Sequence, residues 1–224
     1  MKDEPVTPKG WQCLDGTLYI DKAEKPWMVF CHEWVQVYDG QVAAVPLSDD
    51  LSEAIGDPII LFRASDAPWG GNLVKKNEKF HNGNITDGPF LHRMKNGTLI
   101  MLWSNFTNDG YATGYARSAW GEIQGPWIQE ENPLYALDGA HSMLFYTFDG
   151  QLMMSLHSPN AHTKKRILLF QMVEDGDHLH IINEITGNWN NQVFTIASKK
   201  EKKKNVAVIE QIKNDPADPN SGVQ

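Results

Sequence analysis

Apolar residues come in short runs separated by Gly, Pro, Asn and Asp, and no run keeps a helical period. Residues 1–11 are polar, carry Pro5 and Pro8, and read as an N-terminal loop. Leu18–Ile20 and Trp27–His32 are predicted strands around a Lys22–Pro26 turn, and Gln41–Leu47 and Pro58–Phe62 follow as two more. A long connection, Ser65–Gly83, carries Trp69-Gly70-Gly71 and a charged patch at Lys75–Lys79. Connections of that length in compact domains tend to be functional or mobile.

The plan then repeats. Phe90–Leu91, Leu99–Ser104, Tyr111–Ala116 and Ile123–Ile128 form a second set of strands. Met143–Thr147, Leu152–Leu156, Ile167–Met172 and His178–Ile182 form a third. An Asp-Gly pair opens each set: Asp15-Gly16, Asp87-Gly88 and Asp138-Gly139. The wider gap between the first two pairs is taken up by the Ser65–Gly83 connection. Units of four strands on a fixed plan are the signature of β-propeller blades. The units span 12–64, 84–130 and 137–182, and the expected fold class is all-β, a β-propeller. Three blades do not close a ring, since propellers have about four to eight. Either the tail after Ile182 supplies further strand or the first blade is absent; a complete unit almost at residue 12 favours the second, an incomplete propeller with open blade edges that invite self-association. Residues 183–224 form a tail. Gln192–Ala197 and Asn205–Ile209 are β-capable, Lys199–Lys204 reads as a solvated basic turn, and Asp215–Gln224 as disordered.

Composition narrows the function. A formal charge of −8 argues against nucleic acid as a general partner, because phosphate binding needs a basic face. No apolar run is long enough to cross a membrane, and Met1–Pro5 has no apolar signal core, so the sequence as given reads as soluble, with no export signal. Cys13 and Cys31 fall in one unit. They can pair, but two reduced thiols are the expectation. Eight Trp raise the weight of carbohydrate contact, since the indole face stacks on sugar rings, although filling β cores explains any one of them as well.

In a propeller the first strand of each blade lines the central channel. Asp15, Asp87 and either Asp138 or His141 hold corresponding places and would converge there. Two carboxyl groups across a bond, one protonated and one ionised, are what glycoside hydrolysis requires. Clustering also drives their pKa values apart. For one Asp-Gly an ordinary turn is the better explanation. For three in register, the two explanations are level.

The motifs Cys13–Asp21 and Pro26–Trp34 resemble the second blade of glycoside hydrolase family 43. Thr86–Phe90 with Asn96-Gly97 and Leu102–Ser104 resembles the third blade, and Asp138–His141 with Asp149-Gly150 and Leu156–Asn160 a later one. The resemblance spans roughly Trp11 to Glu174. It implies a five-bladed propeller that cleaves arabinose- or xylose-containing plant glycans with inversion. It implies three carboxylates: an Asp base on the first blade, a tuning Asp on the second and a Glu general acid on the third. Asp15 then matches the tuning Asp, and Asp87 the general acid, with Asp in place of Glu. The base has no counterpart, since Asp3 lacks a fitting strand context, and the chain alone is expected to be poorly active. Glu33 is a weaker substitute for the acid. His141 matches a histidine near a bound metal, commonly calcium. Calcium prefers oxygen, so His141 would act through water or contact substrate. Trp34, Trp69 and Trp103 are the stacking candidates, with Trp69 reaching over the rim, while Trp103 and Trp27 can instead pack between blades. Arg117 can touch a sugar hydroxyl or the tuning carboxylate, and an ordinary surface role fits it equally well. The alternative to an enzyme is a carbohydrate-binding propeller without catalysis.

Overall fold

The computed structural model describes residues 4–71 and 83–185. They form twelve strands in three four-stranded sheets. The first sheet contains β1 (Cys13–Ile20), β2 (Pro26–His32), β3 (Gln41–Pro46) and β4 (Ile59–Arg63). The second contains β5 (Asp87–Arg93), β6 (Leu99–Thr107), β7 (Gly110–Ser118) and β8 (Trp127–Gln129). The third contains β9 (Ala140–Tyr146), β10 (Leu152–Ser158), β11 (Arg166–Asp175) and β12 (His178–Glu184). In each sheet, neighbours in sequence are neighbours in space. Such meanders are what turn-separated strands give when connections stay short.

The turns have identifiable causes. Asp21 closes the β1–β2 hairpin: Oδ1 accepts from the Ala23 and Lys25 amides at 2.8 and 2.9 Å, and Oδ2 accepts from Trp27 Nε1 at 3.0 Å. Between β2 and β3 lies one helical turn, α1 (Trp34–Val37), with Glu33 at its N-cap. The strand pattern gave no sign of it. The predicted strand Ile123–Ile128 shrinks to β8, because Glu122–Gly125 form a turn closed by the Gly125 amide on the Glu122 carbonyl at 3.1 Å, and Trp127 Nε1 donates back to the Ile123 carbonyl at 3.0 Å. The tail segments Gln192–Ala197, Asn205–Ile209, Lys199–Lys204 and Asp215–Gln224 lie outside the described residues, as does Lys75–Lys79.

The described residues divide into two compact units, one of those up to Met143 together with Leu156–Arg166, the other of Leu144–Ser155 together with those from Ile167 to Ile185. The core of the first is built on the central strands. Every residue from Leu99 to Asn105 is buried. Trp103 is fully buried, with ring centroids 4.9 Å from Trp69 and 5.3 Å from Phe62, and its Nε1 donates to Gln129 at 3.0 Å. Trp69 fits because position 114 is glycine: a Cβ there would lie 2.3 Å from the indole. In the second unit Phe170 and Met172 of β11 are buried, and Gln151 Nε2 donates to the Met172 carbonyl at 3.2 Å.

Candidate functional site

Two strands of the first unit carry the same irregularity near their start. In β1, Leu14 pairs with Cys31 and Thr17 with Val29, so Asp15 and Gly16 bulge out together. In β5, Asp87 pairs with Ser104 and Phe90 with Leu102, so Gly88 and Pro89 bulge out. A bulge re-aims side chains at a strand end. Asp15 has φ +54°, Gly88 +53° and, in β9, His141 +53°. Backbone conformation therefore matches Asp15 with Gly88 and His141. Asp87 stands one residue earlier, at the place Leu14 holds in β1. The expected equivalence of Asp15 and Asp87 is thus off by one residue. Of the two candidates in the third unit, the one beside these acids is His141. Asp138 also has φ +54°, but its Oδ2 accepts from the Asn160 amide at 2.9 Å and serves the connection after β10.

Asp15, Asp87 and His141 each offer a ligating atom, and these atoms lie within 4.8 Å of one another. His141 Nδ1 is 3.8 Å from Asp15 Oδ2, and His141 Nε2 is 3.8 Å from Asp87 Oδ2. The three side chains are 26%, 20% and 38% exposed, so the group is open to a ligand. The Gly88 amide donates to Asp15 Oδ2 at 2.9 Å. The His141 amide donates to Ser104 Oγ at 3.0 Å. Gly88 also needs its lack of side chain, since a Cβ would sit 3.1–3.2 Å from His141 Nδ1, Cα and Cγ.

The electrostatics follow from these neighbours. Interaction with Asp87 raises the His141 imidazole above its ordinary value; burial opposes this, and the charges of Asp87 and Asp15 add to it. His157 has its ring centroid 5.5 Å from that of His141 and shifts the other way. Burial lowers it, the Asn160 hydrogen bond opposes, and the charges of Lys165 and His141 lower it further. Burial pushes the Cys31 thiol well up, and the Asp87 charge adds to that. Both cysteines are free thiols, as expected.

Several assigned residues stand elsewhere. Trp34, Trp69 and Trp103 are 7%, 9% and 0% exposed, so none offers a face to a sugar. Trp69 does not reach over a rim; it fills the core beside Gly114. Trp34 lies over Gly83, where a Cβ would be 2.0 Å from its ring. Arg117 Nε is 2.6 Å from Glu130 Oε1, which holds the guanidinium on the β7–β8 side of its sheet. Glu33 caps α1. The sequence reading missed Tyr111, whose hydroxyl donates to Asp87 Oδ2. It also missed the pairing of His157 with Asn160, Nε2 to Oδ1 at 3.2 Å. Tyr111 is the second residue of β7, just after the turn from β6, and no spacing or motif marks it. His157 lay inside a noted motif, but strand alternation alone assigns it no partner.

Four-stranded meanders in series make this a β-propeller, and the first strands of two of them bring Asp15 and Asp87 beside His141 of a third. The sequence profile of Glycosyl hydrolases family 43 matches residues 2–178, and the chain belongs to that family. Its fold is the family's propeller, of which the described residues form three blades. The chain is 43% identical to an endo-arabinase from Bacteroides thetaiotaomicron VPI-5482, with a TM-score of 0.74 over 79% of this chain and 61% of that one. An endo-1,4-beta-xylanase from the same organism has 22% identity and a TM-score of 0.63, over 80% of this chain and 61% of that one. An alpha-L-arabinofuranosidase from Lactobacillus brevis has 17% identity and a TM-score of 0.60, over 78% and 56%. The chain thus spans about three fifths of the length of the arabinase it matches. No curated protein sequence matches it.

Proposed function

We propose that this chain carries the acid side of a glycosidase site that cleaves α-L-arabinofuranosyl linkages in arabinan, with inversion at the anomeric carbon. The observation behind this is the convergence of Asp15, Asp87 and His141 at two bulged strands and a third with the same backbone turn. Arabinan is favoured over β-D-xylosyl substrates because the 43% identical relative is an endo-arabinase. The xylanase, at 22%, supports the fold alone.

Asp87 is the general acid. It gives its proton to the glycosidic oxygen as the bond to the anomeric carbon breaks, and the bonding pair stays on that oxygen. Water adds to the anomeric carbon from the opposite face and releases a proton to a base. Asp15 orients and tunes the acid from across His141, fixed by the Gly88 amide. Calcium fits the donor set in part. His141 would reach it through water, with the Asp15 carboxylate beside Nδ1 as the oxygen donor, while Asp87 keeps its proton and stays outside the donor set. When bound, it would supply a fixed positive charge beside the two acids.

The test is Asp15→Asn and Asp87→Asn, assayed with azide as the external nucleophile on linear arabinan and on aryl arabinofuranosides and xylosides. Each substitution is expected to cost about two to four orders of magnitude in rate. Full activity in both variants refutes the roles. A second reading, carbohydrate binding without catalysis, is favoured by one observation: among the described residues, only two carboxylates join the group around His141. Calorimetry with arabino- and xylo-oligosaccharides separates the two, since binding without product supports the second reading.

A further inference from the structure

A carboxylic acid that protonates a leaving group must hold its proton on the oxygen that faces the bond. The two oxygens of Asp87 are not alike here. The Tyr111 hydroxyl donates to Oδ2, and His141 Nε2 faces the same oxygen from 3.8 Å. No hydrogen bond reaches Oδ1 from the described residues. Tyr111 is itself fixed. It is 2% exposed, and its ring stacks on Phe106 with centroids 4.6 Å apart and planes 26° apart. It is the second paired residue of β7, opposite Phe106, and its side chain reaches back over β6 to meet Asp87 of β5. Resting on the functional reading above, we propose that Tyr111 is a positioning residue. It keeps Oδ2 of Asp87 as a hydrogen-bond acceptor, so that Oδ1 carries the catalytic proton toward the glycosidic oxygen.

The phenol suits this task because it stays a donor. Burial first, then the charge and hydrogen bond of Asp87 and the charge of Asp15, hold its proton far above the usual phenol range. In the reaction Tyr111 keeps its proton throughout. The proton on Oδ1 moves to the leaving oxygen with the breaking bond, and the carboxylate that remains accepts from Tyr111 at Oδ2. The donor is thus in place before the negative charge develops.

Tyr111→Phe removes the hydroxyl and keeps the ring. Two substrates separate positioning from structure: an arabino-oligosaccharide, whose alkoxide leaving group needs the proton, and 2,4-dinitrophenyl α-L-arabinofuranoside, whose leaving group does not. Parallel assays with azide supply a nucleophile that needs no base. The expected result is a fall in kcat of about 10- to 100-fold on the oligosaccharide, a fraction of what a whole general acid contributes. The change on the dinitrophenyl glycoside is small, with KM unaltered on both. Equal losses on the two substrates, or no loss, overturn the proposal and leave the functional reading standing. If the wild-type chain cleaves neither substrate, with or without azide, the functional reading fails and this proposal fails with it. Should Tyr111→Phe not fold, Tyr111→3-fluorotyrosine changes donor strength within the same shape. It must then move the ratio of the two rates, and an unmoved ratio overturns the proposal.

Discussion

Gly88→Ala tests whether the bulge in β5 holds the site together. Gly88 has φ +53°, and a Cβ there would meet His141 at 3.1–3.2 Å, with backbone Cα among the atoms touched. The left-handed conformation costs a residue with a Cβ about 1–2 kcal/mol. Forcing extra volume against a packed neighbour adds about 1–3 kcal/mol, so the total loss is about 2–5 kcal/mol. Gly97→Ala is the control. Gly97 has φ +91° with nothing within 4 Å of the added Cβ. It bears the backbone strain alone, about 1–2 kcal/mol. In a chain of this size each kcal/mol lowers Tm by roughly 2–4 °C. Thermal melts by circular dichroism should therefore rank wild type, Gly97→Ala and Gly88→Ala in falling order. Hydrolysis should fall only in Gly88→Ala, because only there is His141 pushed away from Asp15 and Asp87. If both variants melt together and both keep full activity, the contact between β5 and His141 does not organise the site.

Two further outcomes follow from the same geometry. By ¹H–¹⁵N NMR, His141 should titrate above 6.5, the ordinary value for the group, and His157 below it. His141, raised in the folded state, contributes stability that is complete below pH 6.5 and lost as pH rises through its higher midpoint. His157, lowered in the folded state, contributes stability present above pH 6.5 and lost as pH falls through its lower midpoint. The reverse order of midpoints would contradict the ion pairs drawn for His141. Arg117→Gln should cost about 1–3 kcal/mol in urea unfolding, because it leaves the partly buried Glu130 carboxylate without its charged donor. Its affinity for arabino-oligosaccharides should equal that of wild type, and a loss of affinity would return Arg117 to the site.

The fold was legible because strand alternation and turn chemistry are local. Pro, Gly, Asn and Asp punctuate the chain between apolar runs, and eleven of the twelve strands lie where those runs do, β8 being the one cut short. Asp15 and Asp87 were legible for a different reason: repetition turned two common dipeptides into an aligned pair. What escaped depended on distance through space. Trp69 sits next to two glycines in a long connection and reads as a rim residue. Its burial depends on Gly114, far along the chain, leaving a slot for the ring. Arg117 reads as a contact for a sugar hydroxyl or a site carboxylate until Glu130, just after β8, is brought across to it. Tyr111 reads as a strand opener, because only the pairing of β5, β6 and β7 carries its hydroxyl to Asp87. A pattern reader sees faces and periods, and these three assignments needed partners.

The one-residue offset between Asp15 and Asp87 breaks the chain's internal symmetry. A perfect repeat would present two identical carboxylates in identical surroundings, and two such groups could only share a task. Here one acid projects from the left-handed residue of a bulge and leans on a main-chain amide, while the other projects from the extended residue before a bulge and leans on a phenol. Duplicated blades supply matching parts, and a single step of register makes those parts chemically inequivalent. A division of labour between acids can therefore arise in a repeat protein without any change in residue type.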